Sequence, residues 1–254
     1  MLGGFRLLRE SAPVEFSSKG PGRPVELLKV LVALGGQNVR VDQIADGLWP
    51  RVDADYAHKS FTATLHRLRR ILDEEDALIL RDARLSLNPR CFWVDTWALD
   101  RLLVELDDAL RDPRPDATAP ALRALTDEAL GLYRGPFLPD ESEQPGYIAC
   151  REQIRAKVLR YLARVVRRLE EAGMPEAAVD CYLRCIDADE LCEAFYRNLM
   201  LCYQRRGENV EALSTYERLR AALSTRLKVM PAPETQAVYA SLLARQGQGS
   251  ARPE

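Results

Sequence analysis

Apolar and polar residues alternate over Leu2 to Leu8 and over Val14 to Ser17, a two-residue period that predicts two short strands joined by a polar turn. Gly20-Pro21-Gly22-Arg23-Pro24 then breaks the chain. From Val25 to Gly36 the period becomes helical: Leu27, Leu28, Leu31, Val32 and Leu34 fall on one face until Gly35-Gly36 ends it. Asn38 to Val41 reads as a short strand. Asp42 is the expected N-cap of a second helix, whose face of Ile44, Ala45, Leu48 and Trp49 is closed by Pro50.

A third helix is predicted from Ala54 to Leu72. Phe61, Leu65, Leu68 and Leu72 recur along its inward side, which leaves Lys59, Thr62, His66, Arg69 and Arg70 outward. Leu78-Ile79-Leu80 and Leu85-Ser86-Leu87 then read as a hairpin around a charged turn, Arg81 to Arg84, and a further short strand is predicted at Cys91 to Val94. Three helices and a hairpin preceded by a small sheet make a winged helix-turn-helix.

From Asp95 onward the pattern is helical, apart from a Pro-rich loop at Asp112 to Pro120 and a polar connection at Gly135 to Pro139. An internal repeat organises this half. Gly173 and Gly207, Ala178 and Ala212, Val179 and Leu213, Tyr182 and Tyr216, Arg184 and Arg218, Val165 and Leu199, and Leu169 and Tyr203 are all 34 residues apart. Helix pairs of that length, with a glycine turn and small alanines where helices cross, carry the tetratricopeptide signature, and they stack because no pair buries its apolar face alone. Pro231 to Thr235 opens a last helix, Thr235 to Arg245. The predicted organisation is therefore an α+β winged helix-turn-helix domain over 1–93, an all-α tetratricopeptide-like helical-repeat domain over 94–246, and a disordered tail over 247–254.

Composition narrows the functional classes. The apolar share (47%) suffices for packed cores, and the interspersed charge (29%) argues against a membrane span. The first residues lack the order of a signal peptide, so a cytoplasmic location is expected. The net charge of −2 argues against a surface uniformly basic for indiscriminate nucleic-acid binding. Its distribution matters more: Tyr56 to Leu72 holds Lys59, Arg67, Arg69 and Arg70 with no acid, and Asp73-Glu74-Glu75-Asp76 follows. A solvated helix face is the ordinary explanation of such a stripe, and its place between a capped helix and a charged hairpin favours a ligand-binding one.

Catalysis finds little support. His58 and His66 are the only histidines, and neither a Gly-x-x-x-x-Gly-Lys-[Ser/Thr] phosphate loop nor a Gly-x-Ser-x-Gly elbow occurs, so no enzyme, cofactor or metal is expected. Cys181, Cys185, Cys192 and Cys202 are read as reduced packing residues rather than a metal or redox site. Trp93, Trp97, Tyr133, Tyr182 and Tyr216 are read as inter-helix core.

Leu65-His66-Arg67-Leu68-Arg69-Arg70-Ile71-Leu72 before a charged hairpin resembles the OmpR-type winged helix. Trp93 to Leu99, Leu132-Tyr133-Arg134-Gly135-Pro136-Phe137-Leu138 and Pro231 to Thr235 are similar to the bacterial transcriptional activator domain (BTAD). That module follows such a winged helix in SARP-type activators and ends some MalT-like ATP-dependent regulators. The resemblance implies a transcription regulator that binds double-stranded DNA, with the third helix in the major groove and the hairpin as wing. It implies base-edge contacts from Thr62, Ala63 and His66, phosphate contacts from Lys59, Ser60, Arg67 and Arg70, and wing contacts from Arg81 and Arg84. His66 departs from the pattern of many relatives, which place a cationic or amide side chain there. The helical module would mediate homodimerisation or contact with RNA polymerase. A sensor or ATPase segment, if one exists, would lie outside this sequence, and no membrane partner is expected. The alternative is a tetratricopeptide-type adaptor whose winged helix binds protein instead of DNA.

Overall fold

The computed structural model describes residues 1–14, 22–111, 115–141 and 144–249, with side chains outside 115–119 and 245–249. These residues form small sheets and a majority of helix. The chain divides into two compact units, one of Met1, 3–98 and 137–154, the other of Leu2, 99–136 and the chain from Arg155 onward.

The first unit opens with a hairpin of β1 (Leu8–Arg9) and β2 (Ala12–Pro13), its tight turn at Glu10 and Ser11, both at positive φ. The pairing is thus shorter than the alternation over Leu2–Leu8 suggests, and 15–17 of the second predicted strand lie outside the described residues. Helix α1 (Gly22–Ala33) buries Val25, Leu27, Leu28 and Leu31. It ends as the glycine pair predicts: Gly35 and Gly36 take positive φ, and the Gly36 amide returns to the Leu31 carbonyl (2.8 Å), which only a left-handed cap allows.

β3 (Val39–Arg40) leads directly into α2 (Val41–Leu48). Asp42 is not the N-cap expected of it. Arg40 holds that position, and Asp42 sits in the first turn, accepting from the Gln43 amide (2.9 Å) and from Arg40. The strand runs into the helix without the intervening residue a side-chain cap requires. α3 covers Ala54–Leu72, the predicted range, with Asp53 accepting from the Asp55 amide (3.0 Å) and Asp73 as a left-handed C-cap. A 3-10 turn (Glu75–Ala77) precedes β4 (Leu78–Arg81) and β5 (Arg84–Leu87), and the sheet order is β3-β5-β4, all antiparallel.

Cys91 to Val94 is not a strand. Asn88 takes the segment into a turn: its carbonyl accepts from the Cys91 and Phe92 amides (3.0 Å each) and its side-chain oxygen from the Arg90 amide (3.0 Å). Trp93, read as core, is 66% exposed as a result. The connection at Gly135 to Pro139 is more buried than its polar reading suggests. Phe137 and Leu138 are enclosed in the first unit, Phe137 edge-on to Tyr147, and Arg151 donates to both their carbonyls.

The second unit packs Leu99, Leu103 and Leu106 of α4 (Asp95–Arg111) with Leu122, Ala129 and Leu130 of α5 (Pro115–Leu132) and with Val158, Leu162 and Val165 of α6 (Pro145–Glu171). The predicted Pro-rich loop is therefore helical from Pro115, a position in the first turn where proline's missing N–H costs nothing; 112–114 lie outside the described residues. α7 (Pro175–Ala188), α8 (Glu193–Arg206), α9 (Asn209–Arg226) and α10 (Pro233–Gly249) follow. α10 begins before Thr235 and continues past 246, where a tail was expected; 250–254 lie outside the described residues.

The 34-residue correspondence has a backbone cause. Gly173 and Gly207 both take positive φ, their amides return to the Glu170 and Gln204 carbonyls, and the next amides return to Leu169 and Tyr203 (2.8 and 3.0 Å). Ala178 and Ala212 are fully buried, as are Val165 and Leu199. Arg184 and Arg218 each reach an aspartate on another helix, Asp127 and Asp187. Among the described residues no helix is long and apolar enough to cross a membrane.

Candidate nucleic-acid interface

Helix α3 is built with two opposed faces. Ala57, Phe61, Thr64, Leu65 and Leu68 are buried, and enclosing Phe61 and Leu68 stabilises the unit by about 2 kcal/mol each. At 3.6 residues per turn, Lys59, Thr62, Ala63, His66 and Arg70 share an arc of about 100° diametrically opposite that seam, and Ser60 and Arg67 flank it. All seven are exposed except Ser60, which is half-buried. The Thr62 hydroxyl returns to the His58 carbonyl (3.1 Å), one turn back.

The cations on this face have no internal partner among the described residues. Among the described residues Lys59, Arg67 and Arg70 make no ion pair and no side-chain hydrogen bond, whereas Lys157, Arg164, Arg184, Arg205, Arg218 and Arg226 in the second unit all meet carboxylates. Arg69, grouped with the outward residues by periodicity, donates to the Leu78 carbonyl (3.2 Å) and so ties α3 to β4. At the helix end Arg9 donates to the carbonyls of Ile71 (2.9 Å) and Leu72 (2.7 Å), satisfying acceptors that the helix leaves open and placing a cation at its negative pole. The alternation in the first residues gives no sign of this long-range cap.

The hairpin turn is tighter than the sequence predicts. Arg81 and Arg84 belong to the strands and face each other as the last pair, and the loop is Asp82-Ala83 alone, both at positive φ as a twisted two-residue hairpin requires. Arg84 is also the partner of Arg40 on β3, so Arg40, Arg84 and Arg81 form one transverse row. All three are exposed. Arg84 donates to the Asn38 carbonyl (3.0 Å) and Arg40 to Asp42 (3.0 Å). Nothing in the sequence places Arg40 in this row, because only the register reveals its neighbours.

All six cysteines are free thiols. Cys91 is exposed, and Cys150, Cys181, Cys185, Cys192 and Cys202 are buried. Burial pushes the Cys181 and Cys202 thiols up to about 12 and Cys192 to about 11. Among the described residues no group of three or more His, Cys, Asp or Glu could hold a metal ion.

A family model described as the bacterial transcriptional activator domain matches residues 94–243. The chain belongs to the bacterial transcriptional activator domain family. The motifs around Trp93 to Leu99, Leu132 to Leu138 and Pro231 to Thr235 therefore carry the family they resemble. Among relatives of this BTAD chain, the regulatory protein AfsR of Streptomyces griseus is 27% identical over 256 residues, covering 100% of this chain and 25% of AfsR. The transcriptional regulatory protein MoaR1 of Mycobacterium bovis is 23% identical over 244 residues, covering 91% of this chain and 77% of MoaR1. The chain thus spans a quarter of one relative and about three quarters of the other. Among solved structures it is similar to Mycobacterium tuberculosis EmbR in complex with a low-affinity phosphopeptide, with a TM-score of 0.60 at 20% identity over 96% of this chain and 64% of EmbR. That likeness shows a shared fold.

Proposed function

We propose that this chain is a sequence-specific DNA-binding transcription regulator, an activator, whose residues 1–93 act as a winged helix and whose residues 94–246 act as a tetratricopeptide-like module for dimerisation or for contact with RNA polymerase. The carrying observation is the face of α3 opposite the core, where Lys59, Arg67 and Arg70 have no internal partner among the described residues. Unpaired guanidinium and ammonium groups on a long helix suit a duplex: the helix fits the major groove, and the cations neutralise phosphates.

Lys59, Ser60, Arg67 and Arg70 are assigned to phosphates, Thr62, Ala63 and His66 to base edges, and Arg81 and Arg84 to the wing contact. The names of AfsR and MoaR1 as regulatory proteins agree with this reading. Retention of the full chain by pooled random duplexes in a gel shift tests it. Saturable, sequence-selective retention is the expected result, and absence of retention at low salt overturns it in favour of a protein-binding adaptor.

A further inference from the structure

The transverse row on the three-stranded sheet contains a residue that the assignments above leave out. Arg40, Arg84 and Arg81 are successive cross-strand partners. Directly opposed residues of antiparallel strands project from the same face, about 5 Å apart, and like charges there are destabilising. Three guanidiniums in one row on a sheet this small is thus an arrangement that folding alone disfavours.

What each arginine does internally is limited. Arg84 uses one N–H on the Asn38 carbonyl, and Arg81 has no ion pair or side-chain hydrogen bond among the described residues. Arg40 is hydrogen-bonded and ion-paired with one exposed carboxylate, Asp42, two residues along, with the charge of Asp46 adding a weaker attraction. Asp42 also accepts from the Gln43 amide (2.9 Å), so it is anchored where the strand becomes helix. Each guanidinium carries five donors in a planar fork, and most of them have no partner among the described residues.

We infer that Arg40 is a further phosphate-binding residue, that the row Arg40, Arg84, Arg81 grips consecutive phosphates of one nucleic-acid backbone, and that Asp42 is the internal anion the phosphate displaces. This rests on the DNA-binding reading. The chemistry is a phosphodiester run because planar forks bind phosphate oxygens two at a time, and because a row of three separated cations matches a repeating anion better than a single carboxylate. Asp42 then has a defined role: it keeps Arg40 ordered and neutralises part of the row in the free protein, at the cost of competing with the ligand.

The test uses the full chain and fluorescence anisotropy on a pooled random-sequence duplex over a range of salt. Arg40→Ala is expected to weaken binding about tenfold, equally across sequences, and to lower the log–log salt slope by about 1. Arg40→Lys is expected to keep the salt slope and lose part of the affinity, since a point charge replaces the fork. Asp42→Asn, which retains an acceptor for Gln43, is expected to tighten binding several-fold, and that gain should vanish in the Arg40→Ala background. If Asp42→Asn tightens binding equally with and without Arg40, the displacement is overturned and only a general charge effect remains. If Arg40→Ala melts normally and binds with unchanged affinity and slope, while Lys59→Ala with Arg67→Ala weakens binding, the row is overturned and the α3 assignment stands. If the wild-type chain binds no duplex at low salt, both fall.

Discussion

Lys29 on α1 is ion-paired with Glu141, 112 residues further along the chain. Lys29 is only 4% exposed, and its ammonium also meets Glu26 (3.0 Å) and lies 4.9 Å from the centre of the Phe5 ring. Burial pulls its pKa down, but the hydrogen bonds and charges of Glu141 and Glu26 outweigh that pull, so it lies above the ordinary value of 10.5. Glu141 belongs to the stretch matched by the family model, yet 137–154 pack in the same compact unit as α1. The pair therefore fastens a family segment to the helices that carry the candidate interface.

Breaking that pair leaves a buried charge with half its compensation. Glu141→Gln is expected to cost about 3 kcal/mol in urea unfolding, near the low end for a broken buried pair because Glu26 still faces the ammonium. Since the folded pKa of Lys29 is raised, its contribution is fully present below about 10.5 and is lost as pH climbs through the higher folded value. The stability gap between wild type and Lys29→Met should therefore stay constant from neutral pH to about 10 and narrow above 10.5. A gap that narrows toward acid pH instead would contradict this.

Gly36 has a second constraint besides its positive φ. A Cβ there would lie 2.6 Å from Cζ2 of Trp97, whose Nε1 donates to the neighbouring Gly35 carbonyl (3.0 Å). Gly36→Ala must strain the backbone and push the indole off its acceptor, and a loss of about 2–4 kcal/mol is expected. Gly131→Ala, with nothing within 4 Å of the added carbon and an ordinary helical backbone, serves as the control and should be neutral or slightly stabilising. Thermal melts of the two variants decide it.

How far the sequence disclosed this molecule depends on whether the interaction is local. α3 was legible because its apolar spacing is local, and the cap at Asp53 and the left-handed end at Asp73, which the structure adds, lie next to it. The glycine turns of the repeat were legible because 34 residues separate two copies of one local motif. The hairpin was placed, but with too long a turn, since Ala83 at positive φ is not a residue that advertises such a conformation. Cys91 to Val94 looked like a strand because alternation cannot see the Asn88 side chain that closes a turn before it. Nothing local could place Arg9 at the end of α3 or Arg40 beside Arg84; both follow from how distant segments dock.

The buried thiols should be inert in the native protein. The nucleophile is the thiolate, and burial holds Cys181, Cys192 and Cys202 at about 12, 11 and 12, with Cys185 raised well above its ordinary value by the same cause. At pH 8 iodoacetamide is expected to label exposed Cys91 alone, and all six thiols once denaturant is added. Mass spectrometry of the labelled protein checks it. Rapid native labelling of Cys185 would mean that α7 opens far more readily than its packing implies.

The two sets of residues on α3 should separate in their effect on binding. Lys59 and Arg67 are exposed, unpaired among the described residues, and about two turns apart on or beside the outward face, so their loss removes charge without disturbing the core of Phe61, Leu65 and Leu68. A Lys59→Ala, Arg67→Ala double variant is expected to weaken duplex binding on all sequences alike and to reduce the salt slope by about 2, one for each phosphate released. His66 lies near the centre of that face and Thr62 at its edge, and both carry the donors and acceptors that can read base edges. Thr62→Ala and His66→Ala should leave the salt slope nearly unchanged and flatten the preference among sequences, with about 1–3 kcal/mol lost on the best site alone. Selection from a random duplex pool, run for each variant beside a salt titration, separates the two. A double variant that keeps its salt slope while changing its preferred sequence would exchange the roles assigned to the two sets.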